Sequence, residues 1–305
     1  MDGVVDWVMR DLLTRIGGID QCVTEFIRVV DVVYPDHVFY KRCPELKTGG
    51  KTASGTPVFV QILGGQAEPM ALNALKAIEL GAIGIDINFG CPAKTVNRND
   101  GGATLLKSCD RINDIVKSVK KRMPDHIPLT VKIRLGYDTA SKCIDIAKSI
   151  EDAGADLLTI HCRTKMDGYK PPAYWDWIPK IREHVKMDLV VNGDIWNLED
   201  YKKCQDLTGE SQFMVGRGAV ADPFIFQKIK GAYFENSWMD TKKLLPTFFE
   251  SSYQFHSENF AITRTKQWLK SLSLSYPEAS SIFQNVKTIT TGNEFIDKLQ
   301  NLTNQ

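Results

Sequence analysis

The 305-residue sequence contains no apolar run approaching the roughly 20 residues that a membrane-spanning helix needs. Its first residues, Met1-Asp2-Gly3-Val4-Val5-Asp6, lack the basic segment and apolar core of a signal peptide. The seven cysteines are odd in number, and they form neither a CxxC pair nor a zinc-type spacing. These absences exclude a disulfide framework and predict a cytoplasmic protein with no metal centre and no membrane partner.

Excess charge of one sign is also missing. The net charge is +1, whereas proteins that contact nucleic-acid phosphates usually carry a surplus of Lys and Arg. Overall charge therefore gives no support to RNA binding, and only local clusters that share a surface could supply it. The clusters are Lys41-Arg42, Lys117 with Lys120-Lys121-Arg122, Lys202-Lys203, and Arg264 with Lys266 and Lys270.

What the chain does contain is a regular alternation of short β-branched runs and longer amphipathic segments. Strict alternation indicates parallel strands joined by right-handed helical crossovers, and repetition on this scale predicts a (β/α)8 TIM barrel. The predicted strands are Cys22–Val29, Val58–Leu63, Ile83–Asn88, Leu129–Leu135, Leu157–His161, Leu189–Asn192 and Gln212–Val215. The predicted helices between them are Pro69–Leu80, Asp110–Arg122, Ser141–Ala153, Trp175–Val185 and Leu198–Leu207.

The strand count is one short of eight. A helix is predicted at Val4–Ile16, and a barrel should have a strand before its first helix. We therefore expect the first strand to be missing, which leaves the strands at Cys22–Val29 and Gln212–Val215 with unpaired edges.

Strand signals stop after about Gly231. The remainder predicts helices at Lys243–Glu258, Ile262–Leu274, Glu278–Val286 and Gly292–Leu302. The aromatic residues of this tail recur at helical spacing and are expected in its core: Phe248, Phe249, Tyr253 and Phe255. The predicted organisation is a barrel domain over residues 1–231 and a small helical domain over 232–305.

The predicted strands end in polar residues, at the edge where parallel barrels carry their active sites. Unpaired polar groups are costly to bury in apolar strands, so six polar strand ends on one rim indicate a ligand. They are Gln61, Asn88 followed by Cys91, Lys132 with Arg134, His161 with Arg163, Asn192-Gly193-Asp194, and Gly216-Arg217. Glycine in the last two of these loops lets backbone N–H groups approach closely, which is typical of a phosphate site.

The stretch from Asn88 to Lys107 is the most distinctive part of the chain. Gly90 and Pro92 flank Cys91, and Gly101-Gly102 permits a tight turn, so the loop holds its thiol in the open. The alternative is a small buried cysteine packed at a turn.

This stretch, Asn-Phe-Gly-Cys-Pro-Ala-Lys-Thr-Val-Asn-Arg-Asn-Asp-Gly-Gly-Ala-Thr-Leu-Leu-Lys, resembles the signature of the tRNA-dihydrouridine synthases. These are flavin enzymes that reduce uridine in tRNA, and the similarity continues into the helical tail. Members begin with a strand running into Ala-Pro-Met-Glu/Asp-Gly, and this chain opens at the Met-Asp-Gly part. The runs Thr24–Asp31, Gly101–Lys107 and Arg264–Leu269 are similar to the bacterial C-type branch, which modifies uridine 16 of the D-loop.

The resemblance implies FMN, reduced by NADPH or NADH, and a tRNA substrate bound by a monomer. Hydride from the flavin would reach C6 of uracil, and Cys91 would protonate C5 as the general acid. Flavin contacts are implied for Met1, Gln61, Lys132 and His161, and phosphate contacts for Asn192, Gly193, Asp194, Gly216 and Arg217. The residues assigned to tRNA are Asn88, Lys94, Arg163, Arg264 and Lys266.

The sequence is also compatible with two other functions. One is an FMN barrel that reduces a free pyrimidine, related to dihydroorotate dehydrogenases, because fold alone does not separate these activities. The other is a tRNA-binding protein without catalysis. The helical tail favours a macromolecular substrate, and the complete polar rim favours an enzyme.

Overall fold

The computed structural model describes residues 3–304. Their strands form one parallel sheet in the order β1-β3-β4-β5-β6-β7-β8, in which β2 also pairs with β3. The strands are β1 (Cys22–Val23), β2 (Ile27–Arg28), β3 (Val58–Leu63), β4 (Ile85–Asn88), β5 (Leu129–Gly136), β6 (Leu157–Thr164), β7 (Asp188–Asn192) and β8 (Phe213–Met214).

The single strand predicted at Cys22–Val29 is two short strands in the structure. Cys22 lies opposite Val58 and Ile27 opposite Ile62, so β1 and β2 continue one another along β3. Between them, the Thr24 hydroxyl accepts the backbone N–H of Gln61 at 3.0 Å. The interruption arises because a side chain takes the place of a backbone acceptor in the ladder.

The sheet runs from β1 and β2 at one edge to β8 at the other. Within residues 3–304, no strand precedes the first helix and no pairing joins β8 to β1 or β2. The described residues thus have the predicted order of parallel strands and helices.

Helices follow the strands, and most begin and end within three residues of their predicted bounds. The described helices are α1 (Trp7–Ile16), α2 (Asp36–Arg42), α3 (Ala67–Glu79), α4 (Lys94–Arg98), α5 (Cys109–Arg122), α6 (Cys143–Asp152), α7 (Trp177–Arg182), α8 (Leu198–Thr208), α9 (Arg217–Ala221), α10 (Ile225–Ile229), α11 (Ser237–Phe255), α12 (Glu258–Leu272), α13 (Pro277–Val286) and α14 (Gly292–Thr303). Single 3-10 segments span Pro44–Thr48 and Gly102–Lys107.

Four short helices were not predicted: α2, α4, α9 and α10. Each has five to seven residues, too few to show a helical hydrophobic period. Helix α11 begins earlier than predicted, at Ser237, where the Asn236 side chain caps it by accepting the N–H of Trp238 at 3.1 Å.

The chain packs as two compact units. The first contains the sheet and consists of residues up to Trp7, Asp20–Asp194 and Lys202–Met214; the second consists of Val8–Ile19, Ile195–Tyr201 and the chain from Val215 onward. The second unit is thus discontinuous in sequence, and the domain boundary at residues 231 and 232 stays a prediction. Trp268 of α12 donates its indole N–H to the Val220 carbonyl of α9 at 3.0 Å, which explains why α9 packs with the tail.

The second unit has an aromatic core, as the tail sequence predicts. Phe248 and Trp268 meet edge to face with centroids 4.9 Å apart, and Phe249 packs on Phe295 at 5.2 Å. The expectation was wrong for Tyr253 and Phe255, which are more than half exposed near the end of α11. No helix among residues 3–304 combines the length and apolarity needed to cross a membrane.

Candidate active site

One face of the sheet carries a continuous set of polar side chains near the carboxyl ends of its strands. Successive strand residues point to opposite faces, so Asp86 and Asn88 of β4 share a face. The register places Asn88 opposite Lys132, and it places His161 between Arg134 and Asn192 on the neighbouring strands. The predicted rim residues of the first unit are thereby brought to one side of one edge.

The pattern of exposure shows that this face is open. In β5, Lys132 is half-buried, although its neighbours Val131 and Ile133 have no exposed surface. Asn88 and Asn192 are likewise the half-buried last residues of β4 and β7. The side chains left accessible at these strand ends are therefore polar, as expected where a ligand binds.

Lys132 is held at the centre of this face. Its Nζ donates to Asn192 Oδ1 at 3.0 Å, and Asn192 Nδ2 in turn donates to the Met214 carbonyl at 2.7 Å. Burial and, to a smaller extent, the charge of Arg134 lower the pKa of Lys132 to about 8, whereas Asp86 opposes the shift. An anionic group placed beside this amine would favour its protonated form.

A buried carboxylate lies beneath the predicted rim. Asp86 is almost fully buried and accepts hydrogen bonds from Gln61 Nε2 at 2.7 Å and from the Thr130 hydroxyl at 2.6 Å. Burial raises the pKa of Asp86 to about 6, against the lowering effect of these hydrogen bonds and of Lys132. Sequence reasoning missed Asp86, although a carboxylate two residues before Asn88 in an isoleucine-rich strand was an available signal.

Gln61 and Asn88 continue this chain of hydrogen bonds towards the cysteine loop. Asn88 Nδ2 donates to Gln61 Oε1 at 2.9 Å, and Asn88 Oδ1 accepts the backbone N–H of Gly90 at 2.8 Å. The two predicted site residues therefore touch each other, and the second holds the residue that precedes Cys91.

Cys91 is partly exposed, so the alternative of a buried packing cysteine is wrong. Its carbonyl accepts from the Ala103 N–H at 3.0 Å and from Asn97 Nδ2 at 3.0 Å. Gly102 has φ +60°, and a Cβ at that position would lie 2.8 Å from the Cys91 carbonyl oxygen. Glycine is needed at 102 both for its left-handed backbone and for this close approach.

Arg134 connects the cysteine loop to the loop after β6. Its side chain is buried, with Nε donating to the Gly90 carbonyl at 2.9 Å and Nη1 to the carbonyls of Thr164 and Gly168 at 2.9 and 2.7 Å. The Tyr169 ring lies 5.1 Å from the guanidinium and 5.9 Å from the His161 ring. The exposed side chain of Tyr169 thus lies beside the Arg134 guanidinium and the His161 imidazole.

Arg163 does not have the role that we predicted. Its side chain has no exposed surface, forms an ion pair with Asp194 and donates from Nε to the Lys170 carbonyl at 2.6 Å. A guanidinium enclosed in this way has no surface for a tRNA phosphate, so its assignment to RNA is corrected. Arg163 instead holds the loops after β6 and β7, with Nη1 3.3 Å from His161 Nε2.

The loop after β7 is built from close contacts. Asp194 has φ +54°, and its carboxylate also accepts the Ala173 N–H at 2.9 Å. Gly193 has φ +122°, and a Cβ there would lie 3.1 Å from both Ala173 Cβ and His161 Cδ2. Glycine is therefore favoured at 193 by its positive φ and by the close packing against His161, and the phosphate role of Asn192–Asp194 stays a prediction.

The remaining predicted flavin ligands are not tested by these contacts. Gly216 and Arg217 lie in the second unit, where Arg217 begins the five-residue helix α9 and stacks 4.9 Å from the Trp196 ring. Their phosphate role stays a prediction. Met1 lies outside the described residues.

The two tail residues assigned to tRNA have hydrogen-bond partners within the second unit. Arg264 is 7% exposed and is hydrogen-bonded to Gln267. Lys266 donates from Nζ to the carbonyls of Lys287 and Ile289 at 3.0 and 2.6 Å, where it satisfies the end of α13. The assignment is corrected for Arg264, whose side chain is buried, whereas the tRNA role of the half-exposed Lys266 stays a prediction.

Exposed cations are found instead on α4, directly after the cysteine loop. Lys94, which was assigned to tRNA, begins this helix, and both Lys94 and Arg98 are exposed. Within residues 3–304, no group of three or more His, Cys, Asp or Glu side chains is arranged to hold a metal ion.

Comparison with known proteins gives this site its context. The sequence model described as "Dihydrouridine synthase (Dus)" matches residues 1–303. The chain belongs to the dihydrouridine synthase family. It is 45% identical over 300 residues to a protein of Shewanella oneidensis named tRNA-dihydrouridine(16) synthase, covering 98% of this chain and 95% of that one. A protein of the same name from Pseudomonas syringae pv. tomato is 45% identical over 295 residues, covering 95% and 93%.

Solved structures support the fold of this dihydrouridine synthase family member. An old yellow enzyme homologue from Zymomonas mobilis matches with a TM-score of 0.52 at 14% identity, over 78% of this chain and 88% of that one. A variant of NCR from the same organism gives 0.53 at 16% identity, over 75% and 82%. The similarity confirms the TIM-barrel fold class.

Family membership implies a flavin, and the donor set at the sheet edge fits one. A flavin ring presents carbonyl oxygens and ring nitrogens, and it becomes anionic when reduced. Gln61 supplies an amide and Lys132 an amine at half-buried or buried positions of the same face. The Lys132 amine donates to the uncharged side chain of Asn192 at 3.0 Å, and an anionic ligand beside it would favour its protonated form.

Proposed function

We propose that this protein reduces the C5–C6 double bond of a uridine in the tRNA D-loop, at position 16, to 5,6-dihydrouridine. The observation that carries the proposal is the placement of Cys91 on a partly exposed loop anchored to a polar sheet edge. FMN is the proposed cofactor, with NADPH or NADH as its reductant. When bound, the flavin would supply hydride to C6 of the uracil.

Cys91 is the proposed proton donor to C5. Its loop is held on two sides, since Asn88 Oδ1 accepts the Gly90 N–H and Arg134 donates to the Gly90 carbonyl. A general acid must lie within hydrogen-bond reach of the atom that it protonates, and this anchoring limits where the thiol can point. The thiol proton balances the hydride, giving a net addition of two hydrogens.

The buried and half-buried polar side chains of the same face have a binding role in this proposal. Lys132, Gln61 and His161 hold the flavin ring, and Asn88 hydrogen-bonds the uracil. Lys132 balances negative charge on the reduced ring, because its charged form gains most from an anionic neighbour.

The tRNA would approach along the exposed surface beside the cysteine loop. A groove there is lined by Arg28, Val30, Gly64, Gln66 and Asn99, and α4 presents Lys94 and Arg98 next to it. Exposed cations near a groove are the usual means of holding an RNA backbone. The names of the 45%-identical relatives support position 16 as the target.

The decisive experiment is Cys91→Ala, with dihydrouridine in tRNA digests measured by mass spectrometry. We expect turnover to fall by roughly 10²-fold or more, the usual scale for losing a general acid. Flavin absorbance and thermal stability should match the parent protein, which controls for folding. Formation of dihydrouridine at the parental rate by Cys91→Ala would exclude the thiol as proton donor.

Cofactor oxidation separates the rival functions. NADPH oxidation that depends on added tRNA supports the proposal, whereas oxidation driven equally well by a free pyrimidine supports a small-molecule reductase. Purified protein without flavin absorbance that still binds tRNA would indicate a binding protein without catalysis.

A further inference from the structure

We infer that Asp86 is a positioning residue that orients the amides of Gln61 and Asn88 and, through them, the loop carrying Cys91. The inference rests on the proposed function only where it concerns turnover. Its physical basis is a relay of three hydrogen bonds, each of which fixes the donor and acceptor ends of the next group.

The first link begins at the buried carboxylate. An ionised carboxylate can only accept hydrogen bonds, so the Gln61 amide must turn its Nε2 towards Asp86, 2.7 Å away. Burial raises the pKa of Asp86 to about 6, so this acceptor-only form is still the main one at neutral pH. Lys132 of the adjacent strand is the charged side chain that acts on Asp86, and its positive charge favours the ionised carboxylate.

The second and third links follow from amide geometry. With its nitrogen facing Asp86, Gln61 turns Oε1 the other way, where it accepts from Asn88 Nδ2 at 2.9 Å. Asn88 must then present Oδ1 to the Gly90 N–H, 2.8 Å away. Flipping either amide would place two donors or two acceptors face to face, so the carboxylate at one end and the Gly90 N–H at the other select the same orientation for the whole series.

The loop end of the relay is the part that matters for chemistry. Gly90 directly precedes Cys91, and its N–H is held by Asn88 while its carbonyl is held by Arg134. Without Asp86, the Gln61 amide loses the partner that fixes its orientation. Asn88 is then oriented from its Gly90 end alone, and one of the two anchors of the cysteine loop weakens.

Three variants test this inference in the flavin-bound enzyme. Asp86→Leu removes the acceptor and keeps a side chain of four non-hydrogen atoms branched at Cγ, although a larger one. Asp86→Asn keeps an acceptor for Gln61. In the parent protein the Thr130 hydroxyl lies 2.6 Å from Asp86 Oδ1, so the Nδ2 of the new asparagine can donate to that hydroxyl while its oxygen accepts from Gln61. The matched control is Thr130→Val, which removes the other hydrogen bond to Asp86 and leaves the one with Gln61 intact.

The first readout is the rate at which iodoacetamide alkylates Cys91, followed by mass spectrometry of the peptide that contains it. We expect Asp86→Leu to accelerate alkylation by about five-fold, the effect of losing one typical hydrogen bond. Asp86→Asn and Thr130→Val should stay within about two-fold of the parent, a range below the effect of one such bond. Should Asp86→Leu not fold, Asp86→Val offers a smaller side chain suited to a strand.

The second readout is turnover with tRNA. Asp86→Leu should lower kcat by about ten-fold, since a loosened acid is less often in place, and leave KM for tRNA nearly unchanged. Asp86→Asn should restore most of kcat.

Equal alkylation rates in Asp86→Leu and the parent would overturn the inference. An Asp86→Asn variant as impaired as Asp86→Leu would also overturn it, because charge rather than orientation would then be the requirement. Full activity of Cys91→Ala would instead defeat the proposed function alone, since the alkylation rates report on the loop whatever its chemistry.

Discussion

The buried carboxylate of Asp86 makes the stability of the fold depend on pH in a calculable way. Burial raises its pKa from 3.8 to about 6 in the folded protein. The folded state therefore binds this proton more tightly than the unfolded chain does, and stability falls as pH rises through the interval between the two values. Above about pH 6 the loss is complete, and it amounts to about 3 kcal/mol for a shift of roughly two units.

Replacing Asp86 with Asn removes this titration. We therefore expect the free energy of unfolding of Asp86→Asn, minus that of the parent protein, to rise by about 1.3 kcal/mol between pH 5 and pH 7. Any pH-independent cost of the substitution shifts all points equally and leaves this slope unchanged. Lys132, whose pKa lies at about 8, stays mostly protonated over this range and adds little slope.

Urea denaturation at pH 5, 6 and 7, followed by circular dichroism on both flavin-free proteins, measures the difference. Thr130→Val provides a control with the opposite effect on pH dependence. Losing the 2.6 Å hydrogen bond should raise the pKa of Asp86 further, so the free energy of unfolding should fall more steeply near pH 7 than in the parent protein. A stability difference that does not change with pH would refute the reasoning, since Asp86 would then titrate as it does in the unfolded chain.

Three further predictions follow from the site and its surroundings. Asp194→Ala leaves the guanidinium of Arg163 buried without its ion-pair partner and should lower the free energy of unfolding by about 3–5 kcal/mol. The double variant Arg163→Met/Asp194→Ala should recover part of that loss. A double variant no more stable than Asp194→Ala would argue against an unpaired charge as the cause. Lys94→Ala/Arg98→Ala, which removes the exposed charges of α4, should weaken tRNA binding and reduce the slope of log affinity against log salt concentration by about two. Fluorescence anisotropy across a salt series measures both effects. Unchanged binding would exclude this surface. Arg264→Glu should lower the melting temperature rather than act selectively on RNA, because the side chain is buried in the second unit; an unchanged melting temperature with weakened tRNA binding would restore the original assignment.

Local sequence pattern was sufficient for the elements of the barrel. Strand β3 has the predicted bounds, Val58–Leu63, because a continuous apolar run with one polar residue is easily recognised. The strand at Cys22–Val29 was predicted as one element because nothing in its apolar pattern marks Thr24, whose hydroxyl takes over a ladder hydrogen bond from β3. That replacement depends on a residue 37 positions away along the chain.

The site was predictable only as a set of residue types at strand ends. Cys91 could be recognised because Gly90, Pro92 and the glycine pair at 101 and 102 dictate an open loop whatever surrounds it. Arginine, in contrast, suits an exposed RNA contact and a buried ion pair equally well. Arg163 and Arg264 were assigned to tRNA for this reason, and packing gave both of them other partners.

The sequence by itself determined the alternation of strands and helices, the polar strand ends and the cysteine loop, because periodicity and backbone freedom are properties of neighbouring residues. Tertiary structure alone decided which polar side chains meet. Asp86 became part of the site because the register of β3, β4 and β5 brings Gln61 and Thr130 to its two oxygens, and burial then changes its pKa. Hydrogen-bond partners and burial depend on residues far apart in the chain, so they arise only when the sheet has formed.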